Sequence, residues 1–533
     1  MLFNTPQYIL FLPVVVIIYY CMPQRSRYIW LLVASYYFYV QWNPIYIVLL
    51  FFCTLLTYIC GRIIEYLKVN EESAGEDSIP GQEINVEKTI SRGNNAAVMQ
   101  YRKKKKLCFV ACIVLCLGIL GFFKYSDFAI SLVNHLLTRI HINPIDWDYD
   151  IILPVGISFY TLQALGYVID VYRGDIYAEK NFMRYALFVS FFPQLVAGPI
   201  ERSKNLLVQI NTPKSFQYEN LRKGLLLVLY GLFLKMVIAD RTAIIVNTVY
   251  GNSEDYPGFY IIAATVFFAI QIYCDFYGYS TIARGSALMM GFCLMDNFNA
   301  PYYSKSVKEF WRRWHISLSG WFRDYLYIPL GGSRKGILRK WCNLLIVFMV
   351  SGLWHGASTA FIFWGLLNGL YQVAEDLIAG AKEYFAKYYM KWKRFIGEME
   401  EDNKIRFSTN LFHTIVTFML VTFSWLFFRA GGLEDALEIL RHVISVNNWF
   451  ILFDGSMYGL GVARNYMNVL LVAILVLFVV DYHKYRGQDV ADMLLRQGWW
   501  FRVTCIMLLI FTILLYGCYG ELYDIQQFIY FQF

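Results

Sequence analysis

The sequence predicts an all-α, polytopic integral membrane protein of about 11–13 helices, and three observations carry that reading. Of 533 residues, 58% are hydrophobic and only 16% charged, with a mean hydropathy of +0.43, more apolar than soluble domains usually are. Apolar runs of spanning length alternate with basic loops. No stretch shows the alternating ten-residue pattern of a membrane barrel. The net charge of +8 carries no implication of nucleic acid binding, because the basic residues gather between apolar runs in the positive-inside pattern. Eleven cysteines include no CxxC pair and no Cys/His cluster at zinc spacing, so no metal site is expected. Cys108, Cys112 and Cys116 share one helix face, as packed small side chains do.

Taken in order, a first span over 7–22 precedes Arg25 and Arg27. It lacks a basic leader, which fits a retained helix rather than a cleaved signal. Runs at 28–41 and 44–60 form a hairpin around Gln41–Pro44. Residues 62–106 make a polar insert bounded by Arg62, Lys68 and Lys103–Lys106, with 70–100 expected to be disordered. Both basic loops belong in the cytoplasm and the N-terminus outside. A span at 107–123 and a shorter helix at 127–140 follow, then an acidic patch, 146–150, expected outside. His141 and Asp146 fit a His-x4-Asp spacing, but Pro144 interrupts it and no phosphate-binding segment follows, so it is a chance match.

Pro154–Gln163 opens a helix with unusual polarity for its depth, and Phe192–Ile200 closes another apolar stretch. Their prolines and glycines point to broken or re-entrant helices, which are allowed where they face a cavity. Spans at 222–239 and 257–274 lead to Asp275–Ser280, then Asn297, Asn299 and Pro301. The segments 301–340, with nine basic and two acidic residues, and 381–407, with seven and five, belong in the cytoplasm. Between them, runs at 343–354 and 359–378 form a hairpin whose turn carries His355. Spans at 409–428, 466–481 and 503–518 complete the chain, with an amphipathic helix over 433–445. His413, His442 and His483 sit near span ends, as interfacial residues do. The expected division is 1–62 N-terminal helices, 63–106 cytoplasmic insert, 107–380 catalytic core, 381–408 cytoplasmic loop and 409–533 C-terminal helices.

Chemistry concentrates in 301–358. Trp311, Trp314, Leu318, Trp321, Phe322 and Tyr325 recur around His315 at three- and four-residue spacing, with Arg312, Arg313 and Arg323 between them. The pattern predicts a basic, aromatic-rich interfacial helix. Leu344 to His355 would make only about 18 Å of helix against a hydrocarbon core of roughly 30 Å. The expectation is a helix that stops part-way through the bilayer, with His355 recessed at its end. An ionisable group at that depth is a functional candidate by default, the competing reading being a histidine merely hydrogen-bonded between helices.

The run EFWRRWHISLSGWFRDYLYIPLGG followed by SGLWHGAS resembles the membrane-bound O-acyltransferase (MBOAT) family, in particular its branch of alginate O-acetyltransferase membrane subunits. Similar features occur at 154–174, 192–202, 275–302 and 425–430, so the resemblance spans roughly residues 1–520. One departure is Thr281, where many members place an aspartate. The resemblance implies helices around a central funnel or tunnel in a bacterial inner or plasma membrane, with His355 catalytic and His315 a second functional position. It also implies O-acetyl transfer to an exported cell-envelope polysaccharide, with an extracytoplasmic partner protein.

Such a transfer needs an acceptor for the hydroxyl proton with a pKa near neutrality, which imidazole provides, and donors for the developing oxyanion. His355 is the expected base, with backbone N–H groups near Gly356 as donors. His315 would contact the thioester or acyl group. Arg312, Arg313, Arg334 and Lys335 could meet the phosphates of acetyl-CoA, or equally lipid headgroups. Trp311, Trp314, Trp354, Asp275, Asn299 and Gln163 complete the donor- and acyl-binding candidates. No tightly bound cofactor is expected, and no GxSxG or HExxH motif is present. A D-alanyl transfer subunit for teichoic acid, a long-chain lipid acyltransferase and, from another class, a proton-coupled carrier are the competing readings.

Overall fold

The computed structural model describes residues 1–76, 87–146, 153–196, 198–395, 407–519 and 529. All secondary structure among them is helical. Among the described residues, seven helices are long and apolar enough to cross a membrane, which indicates a multi-pass membrane protein. The chain divides into two compact units, residues 1–224 with 286–295, and 225–285 with 296–533.

In the first unit, α1 (Pro6–Cys21), α2 (Arg27–Val40) and α3 (Tyr46–Glu76) begin close to where the apolar runs begin. Then α3 continues past its apolar run, and α4 (Glu87–Arg139) is one helix where two were expected. Lys124, Tyr125 and Ser126, which lie between the two expected helices, are helical as well. Disorder over 70–100 is likewise corrected wherever those residues are described, since both flanks are helical. Glu71 of α3 explains part of this. It pairs with Arg102 at 3.0 Å and Lys105 at 2.5 Å on α4, so the basic run has a partner across the helix pair. The three cysteines of α4 pack as expected, with Cys108 Sγ 3.5 Å from Cys60 Sγ of α3. Most of the acidic patch, 147–150, lies outside the described residues.

The polar helix α5 (Ile157–Arg173) is buried along nearly its whole length, which accounts for its composition. Gln163 donates to the Phe188 carbonyl at 2.6 Å, and Gln194 donates to the same oxygen at 2.8 Å. These bonds tie α5 to α6 (Phe182–Ser190) and α7 (Phe192–Leu195), the expected broken stretch. Helix α8 (Ser203–Asn211) follows, where Ser203 donates to Asp170.

The second unit holds most of α9 (Tyr218–Leu232), a π-helical turn over Phe233–Ala239, α10 (Asp240–Gly251) and most of α11 (Phe259–Met289). A Cβ on Gly231 would meet the Gly278 carbonyl, so the backbones of α9 and α11 touch. Next come α12 (Val307–Arg313), α13 (Ile316–Phe322) with a π-helical continuation to Tyr327, α14 (Ile337–His355) and α15 (Thr359–Phe395). Then α16 (Phe407–Arg429), α17 (Leu433–Ser445), α18 (Arg464–Tyr485), α19 (Val490–Leu495) and α20 (Trp499–Tyr516) follow. Among the described residues the α-helical segments number twenty, above the expected 11–13 in part because breaks split off the short pieces α7, α8, α12, α13 and α19.

The α14–α15 hairpin forms as expected, with His355 as the last residue of α14. Its length does not follow the expectation. At 19 residues, α14 is about 28 Å long, enough to cross, so it is packing rather than an early stop that shelters His355. The pair meets at glycines. A Cβ on Gly352 would strike the Phe361 carbonyl, and one on Gly365 the Phe348 carbonyl. Gly352→Ala should therefore destabilise the unit by about 1–3 kcal/mol. Gly380→Ala, where the added carbon meets nothing, should leave it unchanged or slightly stabilised. Thermal unfolding midpoints of the purified variants in detergent check this.

Candidate active site

The expected continuous helix around His315 is broken at that residue. After α12 the chain turns at His315 itself, whose φ of 44° and ψ of 53° are left-handed, before α13 begins. Residues other than glycine adopt this conformation uncommonly, histidine, asparagine and aspartate more often than the rest, and it costs on the order of 1–3 kcal/mol where it is imposed. The strip Asn297–Asn299 imposes it. Asn299 N donates to the Arg313 carbonyl at 2.9 Å, Ile316 N donates to the Asn297 carbonyl at 2.9 Å, and Ser317 N donates to Asn297 Oδ1 at 3.4 Å. Backbone groups freed by the break are thus satisfied on both sides.

The turn carries the His315 ring inward, where it is 1% exposed. Its centroid lies 6.5 Å from that of His355, 6.1 Å from Trp354 and 4.6 Å from Phe276. His355 is 4% exposed and sits among aromatic rings. Trp354 is 4.9 Å away, Trp364 5.2 Å and Phe428 5.3 Å, all edge-on. All seven histidines are described, and only these two are buried. Burial holds the His315 imidazole down to about 3, so it is neutral throughout the physiological range. Asn297 Nδ2 and Ser317 Oγ, on either side of His315 in the structure's strip and turn, are buried without a hydrogen bond among the described residues.

The remaining candidates take varied places. Trp311 donates from Nε1 to Asn368 at 3.2 Å and packs on Trp364 at 5.6 Å, which bears on His355 in turn. Trp314 is buried against Phe310, Phe298 and Trp425. Arg312 is exposed. Arg313 is occupied by Glu309 at 2.9 Å, the Asn299 carbonyl at 3.1 Å and the Tyr485 ring. Asn299 keeps a buried Oδ1 without a hydrogen bond among the described residues. Gln163 lies in the first unit, on the Phe188 carbonyl.

Asp275 belongs to a buried ion cluster. Its Oδ1 is 2.7 Å from Lys235 Nζ, which is also 2.7 Å from Asp240 Oδ1, and its Oδ2 accepts from Ile529 N at 2.7 Å. The next residue is Phe276, the ring against His315. Sequence reasoning missed Lys235, Asp240, Asn368, Trp364 and Phe428. The WLFFR segment at 425–429 was the only advance signal for Phe428, and Lys235 could have been noticed as a lone charge in an apolar run.

Two buried imidazoles thus lie close together among aromatic rings in a polytopic helical membrane protein. The membrane-bound O-acyltransferase family model matches residues 178–397. The chain is 34% identical over 483 residues to the probable alginate O-acetylase AlgI of Pseudomonas syringae pv. tomato, covering 90% of this chain and 82% of that protein. It is 31% identical to the peptidoglycan O-acetyltransferase of Helicobacter pylori, over 84% of this chain and 80% of that one. Similarity to the teichoic acid D-alanyltransferase of Bacillus subtilis is 27%, over 55% and 73%. The chain belongs to the membrane-bound O-acyltransferase family, and it is an O-acyltransferase.

The depressed pKa of His315 has a stability consequence. An unfolded histidine binds a proton below about 6.5, whereas the folded one does so only near 3. The stability this residue allows is fully present above about 6.5 and is lost as the pH falls toward 3, by about 1.4 kcal/mol per pH unit. In His315→Asn, a residue tolerant of left-handed backbone, that loss should vanish. Midpoints measured from pH 7 to pH 4 should fall more steeply for the wild type than for the variant.

Proposed function

We propose that the chain transfers an acetyl or similarly small acyl group from a cytoplasmic thioester, acetyl-CoA or an equivalent, to hydroxyls of an exported cell-envelope polysaccharide. Transfer is direct or passes through an extracytoplasmic acyl-accepting partner protein. The observation that carries this reading is the pair of buried histidines, 6.5 Å between ring centroids, in a chain related over most of its length to O-acetylating enzymes. The enzyme would lie in a bacterial inner or plasma membrane, with its N-terminus outside and its basic loops in the cytoplasm.

In this reading His355 accepts the proton of the attacking hydroxyl as the carbonyl carbon of the thioester is attacked, and returns it to the departing thiolate. Water exclusion by Trp354, Trp364 and Phe428 strengthens every polar interaction inside. His315 is too weak a base, at about 3, to hold that proton, so its part is to orient the acyl group by hydrogen bonding. Asn297 Nδ2 and Ser317 Oγ are available to the developing oxyanion, a more specific assignment than backbone N–H groups near Gly356. Arg334 and Lys335, both exposed, together with Arg312, would meet the donor's phosphates or lipid headgroups.

The chemistry of the acyl group separates this from the related reading of D-alanyl transfer, favoured only by the shorter similarity to the D-alanyltransferase. Ester-linked acetate and D-alanine on envelope polymers would be measured in cells carrying wild type, His355→Ala or His315→Ala at equal membrane levels. His355→Ala should lower acetate incorporation by roughly 100- to 10,000-fold, the usual reach of general base catalysis, with His315→Ala also impaired. Loss of D-alanine instead would move the reading to the teichoic acid branch. Esters of every kind unchanged would remove it.

A further inference from the structure

We propose that Lys484, on α18, is a positioning residue for acyl transfer, fixing the strip Asp296–Asn299 and through it the backbone of His315. The inference rests on His315 acting in the reaction as described above. Lys484 stands at the C-terminal end of a membrane-length helix, with its side chain largely buried. Its Nζ donates to the Phe298 carbonyl at 2.6 Å and to the Tyr277 hydroxyl at 3.2 Å, and lies 3.6 Å from Asp296 Oδ1. An ammonium placed for an ordinary ion pair would sit closest to the carboxylate. This one sits closest to a neutral backbone carbonyl, in a short charge-assisted bond. Asp296 has a second cation beside it, Arg284.

One turn earlier, Asp481 makes the complementary contact. Its Oδ2 accepts from the Tyr273 hydroxyl at 2.7 Å in a fully buried setting. The Tyr273 ring lies 5.5 Å from Phe298 and 5.8 Å from Trp314. Helix α18 therefore grips the strip at two points, by its carbonyl through Lys484 and by its ring through Tyr273. Phe298 is the middle of the three residues whose neighbours, Asn297 and Asn299, bond the backbone before and after His315. Freed of Lys484, the Phe298 carbonyl loses its cation, and the strip can relax away from a turn that is left-handed only because the strip holds it so. A misplacement of about 1 Å at a reacting group can cost roughly 100-fold in rate.

The test measures incorporation of radiolabelled acetyl from acetyl-CoA into envelope polysaccharide by membranes containing equal amounts of full-length protein. Variants are Lys484→Met, Lys484→Arg, His315→Ala and the double variant Lys484→Met/His315→Ala, each with its thermal midpoint. Lys484→Met should fall roughly 100-fold while still folded at the assay temperature. Lys484→Arg, which keeps a cationic donor for the carbonyl, should recover most of that loss. The double variant should be no slower than His315→Ala, because both changes remove the same function. Should Lys484→Met fail to accumulate, Lys484→Gln takes its place, with the same cycle read. A wild-type rate in Lys484→Met, or losses that multiply in the double variant, would overturn the assignment. A wild-type rate in His315→Ala would instead overturn the reading of the site on which it rests.

Discussion

A single backbone turn governs this site. His315 is held left-handed between two short helices, and the Arg313 carbonyl and the Ile316 and Ser317 N–H groups that flank the break bond to Asn297 or Asn299. Such a conformation persists only when the surroundings over-determine it. The surroundings here are a strip of chain gripped by α18 and packed by Tyr273, Phe298 and Trp314. Without the turn, the aromatic spacing of 311–325 would continue as one helix, and His315 would lie on its flank rather than in the interior. The strain is what brings the second imidazole to the first.

His355 reaches the same place by a different device. Close backbone contact at Gly352 and Gly365 seats α14 against α15, and α15 then supplies Trp364 while α16 supplies Phe428. These rings shield the imidazole without ionising themselves. Trp311 links the two halves of the arrangement, since it extends from α12 just before His315 and packs on Trp364 beside His355. Geometry at one histidine is thereby coupled to geometry at the other. A buried ion cluster lies next in sequence to the Phe276 ring: Lys235 stands between Asp240 and Asp275, where removing the lysine would leave two buried carboxylates without their ammonium.

Much of this was legible in the sequence where the cause was local. The apolar runs, the hairpin ending at His355 and the broken stretch at 192–195 follow from hydropathy and from proline and glycine, which act on their own neighbourhood. The break at His315 was not legible, because its cause lies 16 to 18 residues upstream in Asn299 and Asn297 while the local periodicity argues for an unbroken helix. Similarly, α4 runs on through Lys124–Ser126, between the two segments expected from hydropathy, as it packs along α3. The apolar run before His355 begins only at Leu344. The helix begins at Ile337, because Arg339 and Lys340 are good helix formers that can extend their charges outward.

The central claim is that the two buried imidazoles act as one catalytic unit. The most direct test is a double-mutant cycle on acetyl transfer in membranes, using His315→Ala, His355→Ala and the two together. Residues acting as a unit are strongly non-additive, so the double variant should be no slower than His355→Ala alone. Losses that multiply across the cycle would mean that the rings, although 6.5 Å apart, serve separate steps, and would contradict the account.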